Sequence, residues 1–210
     1  MAKEKVFLLL KNNRIRYSNC YGILSDGGAV VIDPGKCDER IVSFLNDNAD
    51  KQRFIIITHA HYDHLLGAEE LRQKTGVPIA AAKGNMDDDM VIRLAPTRMF
   101  RREDGLTLKC DRELFDGEIF KVGDMDIKVL ITPGHSKGSA CFLINDNLFS
   151  GDTLFRGTVG ATTFPGGDAA EMLESIRRLK KLDPAIKVFP GHEESTTIAE
   201  ELMFNPFMRY

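Results

Sequence analysis

The sequence reads as a mixed α/β protein built as one domain. Short apolar runs rich in β-branched residues recur along it, and stretches of helical periodicity separate them. Its length is the third observation. Dividing 210 residues would leave two halves with small cores, so residues 1–210 are expected to form a single domain. Hydrophobic residues at 43% and charged residues at 28% give the balance of a globular protein with a sizeable core.

The runs at 6–10, 29–32, 54–57, 127–131 and 141–144 are expected strands. Three of them end in turn-forming or polar residues: Asp33-Pro34-Gly35, Thr58-His59 and Thr132-Pro133-Gly134. Strand ends that feed loops are where chemistry is usually carried. Between the runs, Ile41, Phe44 and Leu45 share a helical face, as do Leu66 and Leu71 with Ala68 nearby. The clearest helix is expected from Asp168 to about Leu182, with Asp168 as N-cap and Glu171 completing a capping box. Met172, Leu173, Ile176 and Leu179 would be its buried stripe, leaving Arg177, Arg178, Lys180 and Lys181 mainly to solvent. A last short helix is expected over 196–202. Residues 83–116 have weak periodicity and read as a long irregular excursion that could cover a site.

Composition disfavours several classes. A net charge of -3 supplies no field to gather nucleic acid or an anionic membrane. Cys20, Cys37, Cys110 and Cys141 are unevenly spaced without a Cys-x-x-Cys pair, so buried free thiols are expected. The longest apolar run near the N-terminus, 6–10, is too short for a signal peptide or a membrane span. A cytoplasmic protein is expected, and a reducing compartment suits its cysteines.

The histidines carry the functional argument. Thr58-His59-Ala60-His61-Tyr62-Asp63-His64 packs three imidazoles and a carboxylate into six positions directly after an expected strand. Alternate residues of extended backbone point the same way, so His59 and His61 can grip one ion. Asp63 and His64, where the chain turns toward a helix, can aim at a neighbouring point. His135 and His192, the other two of five histidines, each follow a Pro-Gly pair, and Asp152 follows Gly151. Imidazoles with a minority of carboxylates suit zinc, iron or manganese; magnesium and calcium prefer all-oxygen cages. Seven candidate ligands exceed the four a structural zinc needs, which leaves isolated hydrogen-bonded histidines as the bland alternative. Two carboxylates and a bridging hydroxide would leave two divalent ions a residual positive charge, enough to stay Lewis-acidic and activate water.

These residues resemble the metallo-β-lactamase superfamily, whose His-x-His-x-Asp-His signature is here His59, His61, Asp63 and His64. The resemblance extends through Asp33, Gly134-His135, Gly151-Asp152-Thr153-Leu154-Phe155 and Pro190-Gly191-His192. Within the superfamily the chain is most similar to glyoxalase II-like hydrolases, through Leu154-Phe155-Arg156-Gly157, Phe164-Pro165-Gly166-Gly167-Asp168 and Asn205-Pro206-Phe207. The resemblance implies a four-layer αββα sandwich with metals at one edge. It implies one metal site from His59, His61 and His135, a second from Asp63, His64 and His192, and Asp152 between them. Asp63 then counts as both ligand and catalytic carboxylate. Asp33 would support the ligand loops, or else be a turn carboxylate. Two divalent ions are implied, zinc first, with iron or manganese as alternatives.

Departures touch no ligand. Relatives often carry Arg and Asp where this chain has Ala161 and Thr163, Thr-Pro where it has Ser136-Lys137, and Gly where it has Glu193. Glyoxalase II proper has an extra helical C-terminal region that helps bind glutathione; this chain stops at Tyr210, shortly after the last ligand, so the resemblance does not carry glutathione specificity over and the thiol carrier stays open. The expected activity is hydrolysis of a small thioester or ester by a metal-bridging hydroxide. A thiolate leaves readily and needs little help from a general acid. The competing expectation is a mononuclear-iron persulfide dioxygenase using His59, His135 and Asp152. Nuclease, flavodiiron and silent binding-module readings lack the added domains or lost ligands they require.

Overall fold

The computed structural model describes residues 4–11, 17–84 and 110–209. One sheet runs in chain order, β1 (Lys5–Leu10), β2 (Cys20–Leu24), β3 (Gly28–Ile32), β4 (Gln52–Ile57), β5 (Ile79–Ala82) and β6 (Arg112–Leu114). Its first three strands are antiparallel and β3 to β6 are parallel. The second sheet contains β7 (Ile119–Val122), β8 (Met125–Ile131), β9 (Ala140–Ile144), β10 (Asn147–Gly151), β13 (Lys187–Pro190) and β14 (Thr196–Thr197), in spatial order β14-β13-β10-β9-β8-β7. Only β10 and β13 pair in parallel there. A separate hairpin joins β11 (Leu154–Phe155) to β12 (Thr158–Val159).

Side-chain alternation sets the layers. Val30, Ile32 and Ile56 of the first sheet meet Ile127, Val129, Phe142 and Ile144 of the second in a core between the sheets. The intervening residues Val31, Ile55 and Ile57 point the other way, onto α1 (Glu39–Asn46) and α3 (Ala68–Thr75) through Ile41, Leu45 and Leu71. On the far side, Leu130, Cys141, Leu148 and Val188 pack on α4 (Ala169–Leu179), α5 (Ile198–Phe204) and α6 (Pro206–Arg209) through Met172, Ile176, Ile198 and Met208. The result is the αββα sandwich. Burial on both faces explains why β3 and β4 read as continuous apolar runs rather than alternating ones.

All five strand-like runs of the sequence are strands. The helix at 168–182 is shorter at its C-terminal end, and its capping differs from expectation. Asp168 accepts from the N–H groups of Ala170 and Glu171, but its own N–H goes to the Gly134 carbonyl at 2.8 Å, so Glu171 does not close a capping box. Leu173, expected in the buried stripe, is 44% exposed, and Ser175 is buried in the stripe instead, donating to the Pro133 carbonyl. Arg178 reaches Asp116 and the Ile131 carbonyl rather than open solvent. The expected helix at 196–202 begins only at Ile198, because Thr196 and Thr197 pair with β13. Most of the 83–116 excursion lies outside the described residues, and its end is not irregular: β6 extends the parallel sheet there. All four cysteines are free, although only Cys20 and Cys141 are buried. Among the described residues no helix is long and apolar enough to cross a membrane.

Candidate metal centre

Parallel strand order brings the chemistry to one edge. β3 and β4 run in parallel and end at Asp33 and at Thr58-His59. β8 and β10 are each antiparallel to β9, and β13 is parallel to β10, so their C-terminal ends also share an edge, feeding His135, Asp152 and His192. The Thr58 carbonyl accepts from the Ala140 N–H at 3.0 Å, stitching the two sheets together beside the site. His61 has extended backbone (φ -73, ψ 141) and caps α2 (Tyr62–Leu65), which carries Asp63 and His64.

His59, His61 and His135 form one cluster, and Asp63, His64 and His192 another, with donor atoms in each trio within 4.8 Å of one another. Asp152 lies between them. Its Oδ1 is 3.3 Å from His64 Nε2, and its Oδ2 is 3.5 Å from His135 Nε2 and 3.6 Å from His192 Nε2. His192 Nε2 is 3.1 Å from Asp63 Oδ2. All seven residues singled out in the sequence thus converge.

The hydrogen-bond network tests whether this cluster fits metal ions. Thr58 Oγ1 donates to Asp33 Oδ2 at 2.7 Å, so it can only accept from His59 Nδ1 at 3.1 Å, leaving His59 Nε2 a bare lone pair. His135 donates from Nδ1 to the Ala161 carbonyl at 2.8 Å, leaving its Nε2 bare as well. Both lone pairs face His61 Nδ1, at 3.0 and 2.7 Å. A single ring nitrogen has at most one proton and cannot satisfy both; a cation at their centre satisfies all three. His64 donates from Nδ1 to Asp33 Oδ2 at 2.8 Å, and its buried Nε2 has no hydrogen-bond partner among the described residues, nor does Asp152 Oδ1 facing it. Orphaned ligand atoms of this kind fit divalent ions held by imidazole and carboxylate.

Electrostatics divide the site in two. Burial, reinforced by neighbouring imidazoles, pushes His59 well below the usual histidine value and His61 down to about 4. Burial lowers His135 too, so the first trio is neutral imidazole, the form that binds metal. In the second trio burial also opposes charge, but the carboxylates of Asp152 and Asp33 outweigh it and raise His64, while Asp63 raises His192. Burial opposes ionisation of Asp152 and Asp63 in turn, and the facing histidines overcome it, holding both carboxyls ionised.

Several contributors escaped the sequence reading. Thr58 links Asp33 to His59, and the Thr-His pair that precedes the signature was its only trace. The Asn19 side chain and the Tyr21 hydroxyl both donate to the Pro190 carbonyl, at 3.0 and 2.7 Å, fixing the His192 loop; neither carries a local signal. Phe164 sets its ring edge-on to His61 and His135, with centroids 5.8 and 5.9 Å away. Asp33 is no ordinary turn carboxylate: it is 2% exposed and bonded to His64 and Thr58. Lys137 is exposed. So is Glu193, whose φ of 64 lies where glycine is favoured.

Fold and ligand set together define a metal-binding αββα protein, and residues 13–192 match the metallo-beta-lactamase superfamily. The chain belongs to that family, which is one of metallo-hydrolases. It is 34% identical over 200 residues to the hydroxyacylglutathione hydrolase GloC of Haemophilus influenzae, covering 90% of this chain and 92% of that one. Among solved structures it resembles the BLEG-1 B3 metallo-beta-lactamase, with TM-score 0.81, 28% identity and coverage of 99% and 100% of the two chains. ETHE1 from Myxococcus xanthus gives TM-score 0.75 at 25% identity, covering 98% and 84%. TTHA1623 in a di-iron-bound form gives 0.73 at 30%, covering 92% and 96%.

Proposed function

We propose that the chain is a dinuclear metal-dependent hydrolase of small thioesters or esters, with two divalent ions, zinc first. The observation that carries this reading is the placement of Asp152 between the trios, its Oδ1 3.3 Å from His64 Nε2 and its Oδ2 3.5 Å from His135 Nε2 and 3.6 Å from His192 Nε2. His59, His61 and His135 would hold one ion and Asp63, His64 and His192 the other. Ions bound there supply Lewis acidity and lower the pKa of a bound water to about 7.

The chain's own residues do the rest. The neutral trio and the ionised Asp63 and Asp152 divide the charge unequally across the site. Phe164 packs edge-on against His61 and His135 and would help fix their rings. Asp63, whose Oδ2 lies 3.1 Å from His192 Nε2, would take the proton of the attacking water. In the net reaction water adds its oxygen to the acyl carbon, the C–S or C–O bond breaks, and the departing thiolate or alkoxide takes a proton. The 34% identity to GloC supports the thioester class.

A mononuclear-iron persulfide dioxygenase is the second reading. It draws weight from the likeness to the ETHE1 structure and from the approach of His135 Nε2 to Asp152 Oδ2 at 3.5 Å. Metal content per chain, measured by elemental mass spectrometry before and after chelation and reloading, separates the two. About two ions per chain with turnover of a thioester panel is expected. One iron per chain, with oxygen consumed on addition of a persulfide, overturns the hydrolase.

A further inference from the structure

The loop that carries His192 takes its shape from residues outside itself. Residues 191–195 belong to no helix or strand, and Glu193 among them has φ 64, a backbone region disfavoured for a residue with a Cβ. The anchor comes from the other sheet. Asn19, just ahead of β2 and 3% exposed, donates from Nδ2 to the Pro190 carbonyl at 3.0 Å and to the Glu193 carbonyl at 3.1 Å. Its backbone N–H reaches the Gly191 carbonyl at 2.7 Å. One residue thus pins the carbonyls on both sides of His192, and the Tyr21 hydroxyl adds a further bond to Pro190 at 2.7 Å.

The same run of chain meets the other two ligands of that trio. The Ser18 N–H donates to the Asp63 carbonyl at 2.9 Å, and the Ser18 hydroxyl to the carbonyl of Asp33, whose carboxylate orients His64. The packing is tight where loop and ligands touch: a Cβ on Gly191 would lie 2.5 Å from both Asp152 Oδ1 and His64 Cε1. A small shift of this loop therefore changes the geometry of the second trio. His59 and His135 of the first trio are oriented by different groups, the Thr58 hydroxyl and the Ala161 carbonyl.

We infer that Asn19 is a positioning residue for the site formed by Asp63, His64 and His192, and that its side chain selectively strengthens the hold on the ion there. It acts through the backbone carbonyls of the His192 loop, keeping the imidazole aimed while Glu193 stays in its disfavoured conformation. The inference rests on the two-ion reading above and is independent of the substrate hydrolysed.

The test titrates zinc into the metal-stripped full chain in competition with a chromogenic chelator, which yields both affinities without any assay of turnover. Asn19→Ala should weaken one of the two ions about 10- to 100-fold and leave the other unchanged. Ligand variants assign the site. In His61→Ala, which keeps the second trio whole, adding Asn19→Ala should weaken the remaining ion by a similar factor; in His192→Ala the remaining ion should not respond to it. If circular dichroism shows that Asn19→Ala does not fold, Tyr21→Phe takes its place in each titration, removing only the hydroxyl bonded to Pro190 and keeping the ring packed on Phe149 and Phe189. Two unchanged affinities, equal weakening of both ions, or a response in His192→Ala overturns the inference and leaves the two-ion reading standing. A single ion per chain in the unmodified protein overturns both.

Discussion

Asp33 and His64 form a buried pair in which the His64 Nδ1–H points at Asp33 Oδ2, 2.8 Å away, with side-chain exposures of 2% and 0%. The pair fixes the tautomer that leaves His64 Nε2 toward Asp152, and the same carboxylate accepts from the Thr58 N–H and hydroxyl. Asp33 holds this position at φ 52, a conformation that Asn also tolerates. Asp33→Asn should therefore fold, yet its amide would face hydroxyl and imidazole donors. Metal affinity should weaken about 10- to 100-fold, read by competition with a chromogenic chelator. Affinity equal to that of the unmodified chain would show that Asp33 does not orient the ligands.

Removing a ligand tests the two-ion arrangement directly. His61→Ala and Asp152→Ala should each lower thioester turnover by about three orders of magnitude or more, because several kcal/mol of charge stabilisation is lost. Circular dichroism should show the folded state retained. Full turnover of metal-replete His61→Ala would contradict a two-ion mechanism.

Gly160 is required by space rather than by its backbone angle. A Cβ there would meet the Asp152 carbonyl oxygen at 1.8 Å, a contact only main-chain movement can relieve. Gly160→Ala should cost about 1–3 kcal/mol in chemical denaturation and weaken metal binding by shifting Asp152 and His135. A variant with unaltered midpoint and metal affinity would mean that the loop yields freely.

Asp38 caps α1, accepting from the Arg40 N–H at 3.1 Å and from its guanidinium at 2.9 Å. The hydrogen bond to the Arg40 side chain holds the Asp38 carboxyl down to about 2. Because the folded value is depressed below the ordinary one near 4, its stabilisation is present above about pH 4 and lost as pH falls through about 2. Asp38→Ala should cost about 1 kcal/mol at neutral pH, and the deficit should shrink as pH falls toward 2. A deficit that is constant with pH would assign the cap a role independent of charge.

What could be read along the chain was what is local. The His59-x-His61-x-Asp63-His64 spacing encodes its own geometry, because extended backbone followed by one turn of helix aims these side chains at two adjacent points. The apolar runs at 29–32 and 54–57 were legible because both faces of those strands are buried. β2 and β5 were not, since Gly22 and the alanines at 80–82 dilute the β-branched signal, and their pairing comes from long-range partners. Leu173 fits the helical stripe by period but stays 44% exposed, because period gives a side chain's angle and not what stands opposite it.

The sequence by itself determined the ligand types and their number, and through its motifs the family, because both depend on residue identity at short spacing. Only the tertiary structure decided that Asp152 stands between the two trios, that Asp33 serves His64 and His59 through Thr58, and that the Ala161 carbonyl orients His135. Each of those contacts spans loops far apart in the chain. Their geometry is fixed by strand register and sheet packing, which hold the loops in place whatever their local sequence would prefer.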